Sequence, residues 1–96
     1  MDILNIVGHQ QGSQLSISNT AAQTGVLEGG VYEIYATCNS RIKIDPSDAS
    51  GVTALTGAVL FAGNTAFYQV PDGGKIGVIA ESALLTGTME YHWVRP

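Results

Sequence analysis

Gly30-Val31-Tyr32-Glu33-Ile34-Tyr35-Ala36-Thr37-Cys38-Asn39-Ser40-Arg41-Ile42-Lys43-Ile44 is two runs of alternating side chains joined by a short polar turn. Successive strand side chains point to opposite faces, so Tyr32, Ile34, Ala36 and Cys38 share one face and Glu33 and Thr37 the other. Ile42 and Ile44 repeat the alternation opposite Arg41 and Lys43. The spacing predicts a β-hairpin with its aliphatic row turned to a core, and so a β-protein.

Reading outward, the same period recurs. Thr65 to Val70 puts Ala66, Tyr68 and Val70 on one face, and Lys75 to Ala80 turns Ile76 and Val78 inward. Pro71-Asp72-Gly73-Gly74 between them is the strongest turn signal in the chain and predicts a second hairpin. Thr88 to Val94 places Met89, Tyr91 and Trp93 together, and Ala58 to Phe61 reads as a short strand. Towards the N-terminus, Ile3 to Val7 and Ser13 to Ser18 read as strands separated by the turn His9-Gln10-Gln11-Gly12, while Asn19 to Thr24 reads as a loop or irregular edge. Ala49 to Thr56, after the turn Asp45-Pro46-Ser47-Asp48, reads as a long loop of the kind that is functional or docked. Seven or eight short strands with no convincing helix predict an all-β fold, an antiparallel β-sandwich or jelly-roll-like barrel. The 96 residues suffice for a single domain spanning 1–96, with 1–29 as an N-terminal arm or edge hairpin.

Composition narrows the chemistry. Charged residues are 12% of the chain against about 25% in an average domain. Ser, Thr, Asn and Gln together number 24, so the exterior is neutral and rich in hydroxyls and amides. Four basic residues forming no run argue against nucleic acid as a partner, since phosphate binding needs clustered Lys and Arg. No stretch approaches the ~18 apolar residues of a spanning helix, and Met1–Asn5 has no basic region leading into an apolar run, so no membrane partner or signal is expected. The single cysteine, Cys38, allows no internal disulfide and reads as a small buried hydrophobe.

The residues carry no catalytic constellation, and no enzyme, cofactor or metal is expected. His9 sits in a turn and His92 on the last strand, neither beside a nucleophile elbow. Glu90 and His92 share a strand face and would need a third ligand from elsewhere to hold a metal. Asp45, Ser47 and Asp48 lack the spacing and closing Glu of a calcium loop, and a turn accounts for them. The candidate contact residues are instead Val31, Tyr35, Phe67 and Ile79, each opposite its strand's main apolar set, with His9, Gln10 and Gln11 as a candidate contact loop. Clustered, the four apolar side chains would form a patch of the kind that marks protein contacts.

Gly30 to Cys38, Arg41-Ile42-Lys43-Ile44, the small-residue loop after them, Leu60-Phe61-Ala62-Gly63-Asn64, Gln69 to Ile79 and the strand through Tyr91, Trp93 and Val94 together resemble small β-proteins of tailed-bacteriophage virions. The likeness runs from Gly30 to Val94. It implies a head decoration or cement protein, made in the host cytoplasm and placed on the capsid surface. Its implied partners are the major capsid protein or other virion proteins and further copies of itself, commonly as a trimer. A head–tail connector or tail accessory role stays open, and so does a carbohydrate-binding module, which would need outward aromatic side chains.

Overall fold

The computed structural model describes residues 13–96; the strand expected at Ile3–Val7 and the loop with His9, Gln10 and Gln11 lie outside the described residues. Eight strands follow one another: β1 (Ser13–Ile17), β2 (Ala22–Gln23), β3 (Gly30–Ala36), β4 (Ser40–Asp45), β5 (Ala58–Leu60), β6 (Thr65–Val70), β7 (Lys75–Ala80) and β8 (Gly87–Arg95). They form two four-stranded sheets in the orders β1-β8-β3-β6 and β2-β7-β4-β5, with every pairing antiparallel. Residues 13–23, expected within an arm or edge hairpin, supply one edge strand to each sheet.

The pairs β1/β8, β2/β7, β3/β6 and β4/β5 are nested, so the chain is one long antiparallel ribbon doubled back between β4 and β5. Successive rungs of that ribbon go to alternate sheets, which is the winding of a jelly roll. Both expected hairpins are therefore corrected. β3 and β4 lie in different sheets, as do β6 and β7, and the short turns between them are arches from one sheet to the other.

What holds the arches open is visible in their hydrogen bonds. Asn39 directs nothing across its own turn: its carbonyl accepts from the Glu81 amide at 3.0 Å and its Oδ1 from the Ala62 amide at 2.9 Å. Thr37 is tied to β8, donating its amide to the Thr88 carbonyl at 3.0 Å and accepting the Thr88 amide on Oγ1 at 2.9 Å. At the opposite end, Asp72 Oδ1 accepts from the Gly29 amide at 3.2 Å, and Leu27 exchanges main-chain bonds with Gly73 and Gly74.

The inward rows match the sequence reading. Tyr32, Ile34, Ala36 and Cys38 are buried, as are Ile42, Val70, Ile76, Val78, Ala80 and Met89, with Tyr91, Trp93 and Ile44 packed against them. Tyr32 is anchored by donating its hydroxyl to the Glu28 carbonyl at 2.8 Å; burial, with Glu28 nearby, pushes that phenol above its ordinary pKa. Burial likewise raises Cys38, keeping it a thiol and a packing group.

Two polar side chains, Thr24 and Ser40, are buried in this interior, and Thr24 Oγ1 is satisfied, donating to the Gly25 carbonyl and accepting the Ile76 amide. Ser40 sits between Leu60 of β5 and Ala80 of β7, fully buried, and its hydroxyl has no hydrogen-bond partner among the described residues. An unsatisfied buried hydroxyl costs about 1–3 kcal/mol, whereas a methyl there costs nothing in hydrogen bonds. Ser40→Ala is expected to raise the unfolding free energy in urea by about 1 kcal/mol; a loss of that size would instead mean that the hydroxyl is bonded.

Candidate interaction surface

The two sheets differ in what covers their outer faces. On β2-β7-β4-β5 the outward row Gln23, Gly77, Lys43 has no side chain at its centre, and the β4–β5 loop lies down on it. Ala49 sits over Gly77, and both Ala49 and Val52 are buried. The Ala49 amide donates to Gln23 Oε1 at 2.9 Å, and the Arg41 guanidinium donates to the Gly57 carbonyl at 3.2 Å. The long loop is thus docked on its own sheet. Ile79, on this same covered sheet, is half-buried.

Two aspartates set the start of that loop. Asp45 Oδ1 accepts the Ser47 and Asp48 amides at 2.9 and 3.0 Å, and Asp48 Oδ1 accepts the Ser50 amide and hydroxyl at 2.9 and 2.6 Å. These donors stabilise the anions: the Asp48 and Ser47 amides hold Asp45 below its ordinary pKa of 3.8, and the Ser50 hydroxyl and amide do the same for Asp48. A lowered folded pKa gives stability that is complete above the ordinary value and lost as pH falls through the folded one. The amide resonances of Ser47, Asp48 and Ser50 are expected to keep their bonded shifts at neutral pH and to move towards random-coil positions only as the pH falls below the ordinary carboxyl pKa of 3.8.

On the outer face of β1-β8-β3-β6, Tyr35 and Phe67 are exposed among the described residues. Val31, Glu33 and Tyr35 of β3 face outward beside Gln69, Phe67 and Thr65 of β6, in that register. Tyr35 and Phe67 are diagonal neighbours, 37% and 60% exposed. On the other side of β3, Glu33 faces His92 and Tyr35 faces Glu90. Glu90 Oε1 lies 3.8 Å from His92 Nε2, and its Oε2 accepts from the Gln14 amide at 3.4 Å, a long contact on a solvated face. No group of three or more His, Cys, Asp or Glu able to hold a metal occurs among the described residues.

Of the four apolar candidates, Val31, Tyr35 and Phe67 come together on this face, and Ile79 is corrected to the opposite sheet. The alternation within each strand is legible locally, but which outward rows end up side by side depends on the strand order. The sequence reading missed the edge formed by β6. Thr65 to Gln69 are exposed or half-exposed throughout, including the inward-facing Ala66 and Tyr68. The neighbouring inward residues Tyr32, Ile34 and Ala36 of β3 are buried. The missing charge in Thr65 to Val70 was the available signal. No protein-family model matches this chain, and no curated protein or solved structure shows significant similarity to it.

Proposed function

We propose that this chain is a non-enzymatic virion structural protein that decorates and cements the capsid of a tailed phage. The observation that carries the reading is the sheet face on which Val31, Tyr35 and Phe67 lie together, Tyr35 and Phe67 exposed among the described residues and Glu33 and Glu90 beside them. Aromatic side chains bring large apolar area to a contact, and polar groups around them, here Glu33, Glu90 and Gln69, form the rim such contacts commonly have. The resemblance over Gly30 to Val94 supplies the biological setting. The partner is the major capsid protein, contacted through this face. Purified chain mixed with undecorated particles is expected to co-sediment at lattice-filling stoichiometry, and Tyr35→Ala with Phe67→Ala to abolish the attachment. Saturation at the copy number of a single vertex would instead support a connector role, and no attachment would overturn the reading.

Outward Tyr35 and Phe67, diagonal neighbours on one sheet face, also favour a second reading, carbohydrate binding by ring stacking. A glycan titration without any change in the tyrosine resonances removes it.

A further inference from the structure

We propose that β6 is a self-pairing edge: two copies of the chain join antiparallel through residues 65–69 about a twofold axis at Phe67, extending β1-β8-β3-β6 into one eight-stranded sheet. This goes beyond the capsid reading and stands or falls on the isolated chain in solution.

Among the described residues the four sheet margins are β1, β2, β5 and β6; β1, five residues, likewise lacks charge, proline and a register shift, and β6 differs from it in being longer and in carrying the exposed aromatic Phe67. β2 and β5, the edges of one sheet, have two and three residues, too short to template a partner strand. β6 has six, with no charge, no proline and no register shift in its pairing with β3. Lys, Pro and bulges are the usual guards against edge pairing, and β6 has none of them. Its side chains are also unfinished on both faces, since Phe67 is 60% exposed outside and Ala66 and Tyr68 are half-exposed although they point inward.

A second copy of the same strand suits both rows. Antiparallel pairing with Phe67 opposite its own counterpart keeps residues of like facing together. It sets Thr65 opposite Gln69 on the outer face, a hydrogen-bonding pair, and Ala66 opposite Tyr68 on the inner face, small against large. The nearest like charges are Glu33 and its counterpart, one strand further in on each side. At about 4.8 Å per strand they stand roughly 14 Å apart, beyond the ~8 Å screening length at physiological salt. A strand pair of about 20 Å buries far less than a standard interface, so the association is weak and depends on concentration.

Charge exchange at the axis tests the assignment. The wild-type chain is expected to sediment at about twice its 10.0 kDa mass at high micromolar concentration and to dissociate on dilution. Phe67→Lys and Phe67→Glu each place like charges opposite one another and are expected to shift the midpoint by at least about tenfold. Mixed one to one, the two variants are expected to pair again. Circular dichroism of each variant alone, matching wild type, shows that the exposed substitution leaves the fold intact. A wild-type chain monomeric at millimolar concentration, a threefold species, or a mixture no tighter than its components overturns the proposal.

Discussion

Ile34→Ala is expected to lower the unfolding free energy by about 3–4 kcal/mol, the loss typical of a large aliphatic side chain removed from a closed core. Ile34 has no solvent exposure and sits mid-strand in β3, flanked on one side by Tyr91 of β8 and on the other by Ala66 of β6. Its central position leaves no loop free to collapse into the space. A domain of this length has about 5–14 kcal/mol of stability in all, so the variant loses a large share of it. At about 4–8 °C per kcal/mol, the melting temperature is expected to fall by more than ~12 °C. Ile34→Val keeps most of the volume and is expected to cost only about 0.5–1.5 kcal/mol. Thermal unfolding followed by circular dichroism measures both. Equal losses for the two variants would mean that the core does not close around this side chain.

Gly77→Ala is expected to cost about 2–4 kcal/mol, although alanine for glycine in a strand is otherwise neutral or favourable. A Cβ on Gly77 would run into the Ala49 carbonyl oxygen well inside van der Waals contact and come within 2.9 Å of its carbon. Both are main-chain atoms, so no side-chain rotation relieves the overlap. The loop must lift, exposing Ala49 and Val52 and breaking the Gln23–Ala49 hydrogen bond. Burying a Val is worth about 1.5–3 kcal/mol and a hydrogen bond about 0.5–1.5, which sets the size of the effect. Hydrogen exchange locates it: the Ala49 amide is expected to lose protection while Ile34 and Val78 keep theirs. Gly25→Ala, with nothing within 4 Å of the added carbon, is the matched control and is expected to be near neutral.

These two residues also mark how far the sequence could be read. Ile34 is a local inference, because period-two alternation from Tyr32 to Cys38 places it inward whatever the strand pairs with. The same logic correctly gave the inner faces of β7 and β8. Pairing is not local. Thr37-Cys38-Asn39 and Pro71 to Gly74 have the length and residue types of hairpin turns, and only the bonds made by Asn39 and Asp72 to distant loops turn them into arches. Whether Ile79 would join Tyr35 and Phe67 was open for that reason. Gly77 did leave a signal, since a lone glycine inside an apolar strand often marks a close approach of another backbone. That the approaching segment is the Ala49 loop could not be known before the strand order.

The nested pairing has a kinetic consequence. The strand made first among those described, β1, finds its partner only in the one made last, β8, and β2 waits for β7. A nascent chain stopped before Gly87 would leave Leu15 and Ile17 without a strand to lie beside. Folding during synthesis is therefore deferred until β8 has emerged from the ribosome, and completion falls in the slow, millisecond-to-second regime of all-β domains rather than that of helical ones.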